Sequence, residues 1–392
     1  MSHPRVTIPQ TIRVDLADRS HEIQIVSNEA TGFAAFARAA FDATRAGGSS
    51  RFALVITDRN VLPHAEMIQA ALSTLGLATE LEAIEPGEES KSFETAIRLF
   101  DRLVDCKADR HAWIVAVGGG VVGDLAGYVA ATYARGLPLL MVPTSLLAMV
   151  DSSVGGKVGI NHPRAKNIIG AFHQPVGVWI DTSYLATLPT RELRCGLAEI
   201  IKYGMILDAG FFNDLEVGVE SVLARDPQSI RHVIARSCEL KARVVSADER
   251  EETGLRAVLN FGHTIGHAIE AVAGYGGLFE HGEAVAAGMV AECRLAERIG
   301  WIDARITDRL ISLLRRCELP ISAPGLSVDT LFEAMGRDKK NQAGKIRFVL
   351  PRRIGQVELT DTPTRDQVEA VLVELANSSP SPRLNQPEAS DG

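Results

Sequence analysis

Trp113-Ile-Val-Ala-Val117-Gly118-Gly-Gly-Val-Val-Gly123-Asp124-Leu-Ala-Gly127 is the stretch that decides the fold. An unbroken apolar run reads as a strand covered on both faces, and it passes through glycines straight into a helix of small residues. Gly118, Gly120 and Gly123 match G-x-G-x-x-G, a pattern that brings backbone N–H groups at a helix N-terminus close to a diphosphate. A lone match of this kind is weak, and a tight turn alone accounts for roughly a third of such matches. The acid that should follow about 20 residues later, to hold a ribose, is missing, and the nearest candidate, Asp58, lies upstream at another strand end.

Working outward, Phe52-Ala-Leu-Val-Ile-Thr-Asp58 repeats the buried-strand pattern, and helix 62–75, strand 78–84, turn 86–91 and helix 93–105 follow it. Strand 139–142 carries Pro143-Thr144-Ser145 at its end, and Val178 to Asp181 is expected to close the sheet. Alternating strands and helices predict an α/β, Rossmann-like, doubly wound parallel sheet. Residues 11–26 alternate around Asp18-Arg19-Ser20, which suggests a hairpin, and 33–44 has helical spacing. The polar, glycine-rich connection from Asp151 to Asn167 is of a length that usually serves function.

Past Leu188-Pro189 the period becomes helical: 191–205, 211–223, 228–249, 257–273, 281–299, 304–317 and 328–335, with a late hairpin pairing 345–350 with 356–360. The expected division is therefore an α/β domain over 1–189, a mostly α-helical domain over 190–376, and a Ser- and Pro-rich tail over 377–392 expected to be disordered. At 392 residues two domains are the default. A net charge of −8 argues against a nucleic-acid or anionic-membrane surface. Five scattered cysteines without a C-x-x-C pair fit a reduced compartment. With no apolar leader after Met1 and no apolar run long enough to cross a bilayer, the expected location is the cytoplasm.

The chemistry concentrates between Arg256 and Glu283. In Asn260-Phe-Gly-His263-Thr-Ile-Gly-His267 the imidazoles stand at i and i+4, on one face of a helix, as metal ligands do. Thr264 occupies the place where a metalloprotease of that spacing carries its general base, so hydrolysis by that route is not expected. His281-Gly-Glu283 offers a third imidazole from a second element. Glu199 and Lys202 form a polar stripe on an otherwise apolar helix, in Gly196-Leu-Ala-Glu-Ile-Ile-Lys-Tyr203. A surface ion pair is the ordinary explanation for such a stripe. Glu199 with His263 and either His267 or His281 would make a Glu/His/His set for a catalytic zinc, and spacing alone favours His263 with His267. Lys157, Lys166, Lys202, Lys241, Arg256 and Lys339-Lys340 cluster around polar turns, which implies an anionic substrate bearing phosphate or carboxylate.

Taken in order, Gly118 to Asp124, Pro143-Thr-Ser-Leu-Leu147, Asp151 to Lys157, Gly196 to Tyr203, Asn260 to His267, His281 to Glu283 and Asp338-Lys-Lys340 resemble the 3-dehydroquinate synthase family of sugar phosphate cyclases, over roughly residues 50–355. The resemblance implies an NAD-binding first domain, a metal- and substrate-binding second one, bound NAD and Zn2+ or Co2+, a homodimer, and no nucleic-acid or membrane partner. It implies the substrate DAHP, 3-deoxy-D-arabino-heptulosonate 7-phosphate, a phosphorylated sugar acid converted to 3-dehydroquinate and phosphate in the shikimate pathway. Transient oxidation by NAD, phosphate elimination, re-reduction and an intramolecular aldol closure make up that reaction.

Carried over by motif, the metal ligands are Glu199, His263 and His281, which overrules the choice by spacing. NAD is expected at Asp58, Asn60, Glu88, Lys91, Gly119, Gly120, Val121, Asp124, Thr144, Ser145, Lys166, Thr187 and Glu192. Substrate is expected at Asp151, Lys157, Asn167, Lys202, Lys241, Arg256, Asn260, His267 and Lys339 or Lys340, with Arg135 lent across a dimer interface. Catalytic duties fall to His267, Lys157, Lys202 and an acidic base assigned to Glu252. Three departures from the family pattern stand out: Ser145 for a second Thr, Arg164-Ala165 where Gly-Lys is commoner, and a segment 248–252 one residue longer than in some members. Alternatives are a sister cyclase acting on sedoheptulose 7-phosphate or glucose 6-phosphate, a metal-dependent NAD alcohol dehydrogenase, and a non-catalytic binding module.

Overall fold

The computed structural model describes residues 9–29, 32–43, 52–274, 277–337 and 346–377. Contacts divide the chain into a sheet unit, Met1–Leu193 with Arg225–Thr253, and a helical unit, Arg194–Ala224 with Gly254–Gly392.

In the sheet unit, β1 (Gln10–Val14), β2 (His21–Val26), β3 (Phe52–Asp58), β4 (Ala78–Ile84), β5 (Trp113–Gly118), β6 (Leu139–Pro143) and β9 (Gly177–Asp181) form a seven-stranded sheet in the order β1-β2-β9-β6-β5-β3-β4. All pairings are parallel except β1 with β2, the hairpin expected from the alternation of 11–26. Every residue of β5, β6 and β9 is buried, as apolar runs covered on both faces must be. Helices α1 (Gly32–Asp42), α2 (Leu62–Ser73), α3 (Phe93–Asp105) and α4 (Gly120–Thr132) provide the crossovers. Phe33 and Phe36 of α1 meet the Trp179 ring at 5.7 and 5.4 Å between centroids.

Two expectations need correction here. Strand 178–181 does not close the sheet. β9 lies inside it, because β2 adds in parallel to its free side and leaves β1 as the edge. The connection 151–167 is not a plain loop. A π-helical turn, Ala148–Ser152, leads into the antiparallel pair β7 (Lys157–His162) and β8 (Ala165–Phe172).

Between β3 and β5 the strand order reverses: β4 lies outward from β3 on one side, while β5, β6 and β9 follow on the other. Such switch points open a crevice at the carboxyl ends of strands. Thr57 pairs with Val117, so Asp58 stands level with Gly118. The apparently misplaced acid is thus the direct neighbour of the glycine turn.

In the helical unit, α5 (Thr190–Leu207), whose first turn belongs to the sheet unit, α6 (Ala209–Leu223), α8 (His263–Ala273), α9 (His281–Arg298), α10 (Ala304–Arg316), α11 (Val328–Arg337) and α12 (Arg365–Asn377) accompany the hairpin β10 (Phe348–Arg353) and β11 (Gln356–Thr360). Helix α7 (Pro227–Ala247) belongs to the sheet unit. Asp208, Asp226 and Asp303 cap α6, α7 and α10 by accepting from backbone N–H groups, an interaction worth about 1 kcal/mol each. The continuous helix expected over 257–273 is instead a 3-10 turn, Leu255–Asn260, followed by α8. Gly262, at φ +79°, takes the left-handed conformation that breaks the run and donates its N–H to the fully buried Glu292 at 2.7 Å. Ile265, Ile269, Phe279, Ala284, Ala287, Leu295, Phe348 and Leu372 build the core on which α8 and α9 pack.

Candidate functional site

In the sheet unit, Gly119 caps α4 and Gly120 and Val121 open it, so the first N–H groups of this helix face the switch point. Asp58 accepts from the Asn60 N–H at 2.8 Å, and burial pushes its carboxyl above the usual range. Thr144 is buried and donates its N–H to the Gly118 carbonyl at 3.0 Å, and Ser145 accepts from the Ala148 N–H. Lys91 gathers the next set. Its ammonium lies 2.7 Å from Asp124 and 3.4 Å from Glu88 and also donates to Asn167. Burial pulls the Lys91 pKa down, but Asp124 and Glu88 more than offset this and hold it above its ordinary value. Glu88, Lys91, Asp124 and Asn167 are thereby brought together, with Asn161 bonded to Glu88 at 2.7 Å. That asparagine was not among the candidate residues, although its place in the polar connection is a usable signal. Lys166 and Glu192 are half-buried, and Thr187 is exposed.

The same unit holds a cationic and acidic group around the π-turn. Lys241, buried on α7, donates to the Asp151 carbonyl at 2.6 Å and to its carboxylate at 2.5 Å. Lys157 is exposed and pairs with Glu251, a residue at φ +60°. Glu252, the expected base, is also exposed, and its N–H donates to Asp248 at 2.9 Å. The carboxylate paired with Lys157 is thus Glu251, the residue next to Glu252 in sequence. Arg135 is exposed, in the left-handed turn formed with Ala134.

In the helical unit, Glu199, His263 and His281 converge although they come from three helices. Glu199 is fully buried on α5, and its Oε1 lies 3.5 Å from His263 Nε2 and 3.7 Å from His281 Nε2. Both rings have the other nitrogen engaged: His263 Nδ1 at 3.0 Å from the Phe261 carbonyl, His281 Nδ1 at 3.0 Å from Glu270. Acceptors at both Nδ1 atoms leave both Nε2 lone pairs facing the same carboxylate, the donor set expected for a divalent ion. Burial lowers the pKa of His281, yet the hydrogen bonds and charges of Glu199 and Glu270 raise it to about 10, so this pocket favours positive charge. The residues fit a Zn2+ or Co2+ ion. His267 belongs to a second group of potential ligands with Glu270 and His281. Lys202, also buried, pairs with Glu199 and lies 5.2 Å from the Tyr203 ring. Arg256 is buried in the 3-10 turn that ends at Asn260. Lys339 and Lys340 lie outside the described residues, as does the tail from 378 onward.

The motif His281-Gly282-Glu283 now has a role for each member. His281 opens α9 at Glu199, and Gly282 lies against the α5 backbone at Cys195. Glu283 completes a capping box by accepting from the Glu280 N–H at 2.9 Å.

Together these features define a class: a doubly wound sheet unit with a glycine turn at its switch point, and a helical unit carrying a carboxylate and two imidazoles. Within it, residues 82–195 match the family model of the 3-dehydroquinate synthase N-terminal domain, and residues 196–341 that of its C-terminal domain. The 2-epi-5-epi-valiolone synthase of Streptomyces hygroscopicus subsp. jinggangensis 5008, solved with NAD+ and Zn2+ bound, shares 28% identity over 92% of this chain and 98% of its own, with a TM-score of 0.80. A 2-deoxy-scyllo-inosose synthase complexed with carbaglucose-6-phosphate, NAD+ and Co2+ shares 26% over 93% of this chain and 99% of its own, at 0.83. The maleylacetate reductase of Rhizobium sp. strain MTP-10005, at 17% identity, 90% and 95% coverage and a TM-score of 0.60, shares the fold alone. The chain belongs to the sugar phosphate cyclases, the superfamily of the 3-dehydroquinate synthases. It is an enzyme of that family. Among the described residues no helix is long and apolar enough to cross a membrane.

Proposed function

We propose that this enzyme is a 3-dehydroquinate synthase that converts DAHP to 3-dehydroquinate and phosphate with NAD and Zn2+ or Co2+, acting as a homodimer in the cytoplasm. The observation that carries the reading is the joint presence of the Glu199, His263 and His281 group and the buried cations Lys241 and Arg256 in a sugar phosphate cyclase. Bound NAD would supply reversible oxidation at one ring carbon, and the divalent ion would polarise adjacent hydroxyl oxygens. Glu199, His263 and His281 would hold the ion. The NAD cradle would be the β3/β5 switch point, with Asp58, the Gly119 to Val121 turn and the Lys91 to Asp124 network.

This chain's residues have distinct duties in that scheme. Lys241 and Arg256 take the substrate carboxylate, since desolvated cations give strong charge-assisted bonds to such groups. Lys157, Asn167, His267 and Lys339 or Lys340 take the phosphate, and His267 moves the proton that accompanies its departure. Lys202 orients the hydroxyls beside the ion, Asp151 holds Lys241, and Glu252 or its neighbour Glu251 serves as acidic base. Arg135 reaches the site of a second copy. Elimination and ring closure need placement more than strong acids or bases.

One observation favours a second reading. The two solved cyclases reported above are not dehydroquinate synthases, and one was captured with a sugar phosphate analogue that has no carboxylate. A sister cyclase would have no use for two buried cations in addition to its phosphate site. Phosphate release by the purified protein with NAD and zinc, from DAHP, sedoheptulose 7-phosphate and glucose 6-phosphate in parallel, decides between them. The proposal expects release from DAHP without accumulation of NADH. Release only from a neutral sugar phosphate would establish the sister activity, and net NADH with a simple polyol would establish a dehydrogenase.

A further inference from the structure

Glu270 lies one helical face along from the ligand histidines, at i+7 from His263 and i+3 from His267 on α8. It is 5% exposed, an uncommon place for a carboxylate without a task. Its Oε2 is 3.0 Å from Nδ1 of His281, the residue that opens α9. An ionised carboxylate only accepts, so His281 carries its proton on Nδ1 and turns Nε2, 3.7 Å away, toward Glu199. The imidazole of His263 is set in the same way by the Phe261 carbonyl at 3.0 Å. That acceptor is neutral. At His281, by contrast, the acceptor at Nδ1 is the charged carboxylate of Glu270.

We infer that Glu270 is a positioning residue for the metal centre: it fixes the tautomer and rotation of His281 and raises the basicity of the nitrogen offered to the ion. This rests on the metal-site reading above. Glu270 could instead be a ligand itself, because its carboxylate, His267 and His281 also lie close enough to share an ion. The geometry favours the positioning role. His281 Nδ1 is already at hydrogen-bond distance from Glu270, and using it as a ligand would take Nε2 away from the only fully buried carboxylate of the two groups.

The test compares Glu270→Gln and Glu270→Ala with the wild-type chain by zinc competition against a chromophoric chelator and by the visible absorption of the Co2+-loaded protein. An outer-shell partner of this kind is expected to contribute roughly 10–100-fold to affinity. Glu270→Ala should lose about that much and shift the cobalt bands. Glu270→Gln, whose amide oxygen still accepts from Nδ1–H, should fall between the two, with the thermal transition of the metal-free protein unchanged. If the alanine variant fails to fold, the glutamine variant decides: shifted bands with an unchanged transition support the inference. Wild-type affinity and spectrum in a folded variant would overturn it, as would a second equivalent of bound metal that disappears with Glu270. Glu199→Ala and His281→Ala serve as controls. If they bind zinc normally the metal centre itself is misassigned; if they lose it while Glu270→Ala does not, only the role of Glu270 is wrong.

Discussion

Gly282→Ala offers a direct measure of how the centre is assembled, because it alters no ligand. A Cβ on Gly282 would lie 2.5 Å from Cys195 Cα and 2.7 Å from its carbonyl carbon, and closer still to the carbonyl oxygen. Ordinary van der Waals contact begins near 3.4 Å, and every atom met is backbone, so no rotamer relieves the clash. The start of α9 must therefore move about 1 Å from α5, and overpacking of that kind costs about 1–3 kcal/mol. Cys195 is one turn before Glu199 and Gly282 follows His281, so the displacement opens the gap between the carboxylate and its imidazole. Metal–ligand distances tolerate only about 0.2 Å. Zinc affinity should fall by at least the ~10–100-fold that loss of an outer-shell partner costs.

Gly218→Ala is the matched control: on α6, with no atom within 4 Å of the added Cβ, it should stabilise the chain by about 0.5–1 kcal/mol and leave metal binding alone. Thermal melting of the metal-free proteins and zinc competition with a chelator read both quantities. A Gly282→Ala protein with wild-type melting and wild-type affinity would refute the claim that this close approach sets the site.

Lys241→Ala should raise KM for a carboxylate-bearing substrate by about 10–100-fold, the worth of one charge-assisted bond of about 1.5–3 kcal/mol, and leave any turnover of sedoheptulose 7-phosphate little changed. Equal losses on both would mean that Lys241 serves only to hold Asp151. His21 is buried with its Nε2 lacking a hydrogen-bond partner, and burial lowers its pKa from 6.5 to about 4. The unfolded chain therefore binds a proton that the folded one refuses in this window, and stability falls as pH drops from 6.5 to about 4, by at most about 3 kcal/mol. Denaturant titrations across that range should show the slope, and His21→Leu should flatten it.

Much of the fold was legible because burial writes itself into composition: β3, β5, β6 and β9 are apolar along their length and could hardly be anything else. β8 was not legible. It has no fully buried residue, so no alternation marks it as a strand. The place of β9 is a long-range matter of which strand adds to its free side, and nothing local encodes it. α12 is different, since Val368, Val371, Leu372 and Leu375 are buried at helical spacing, a signal the sequence itself carries. The same holds for Gly262, whose left-handed turn ends the supposed continuous helix. That Glu251 is the carboxylate beside Lys157 has no sequence signature, because it depends on the path of the loop.

The histidines show where spacing ceases to inform. Their ring centroids form a nearly equilateral triangle, with 5.3 Å between His263 and His267, 5.4 Å between His263 and His281, and 6.1 Å between His267 and His281. Ring spacing alone does not separate the pairs, although the i, i+4 rule favours His263 with His267. What separates them is anionic. Glu199 reaches the Nε2 atoms of His263 and His281, and Glu270 ties down the far side of His281. A divalent ion follows negative charge before geometry, since desolvated charges interact several-fold more strongly than in water. In the proposed metal centre the buried carboxylate on α5 pairs His263 with His281, which lie 64 and 82 residues from it in sequence, beyond the reach of any spacing rule.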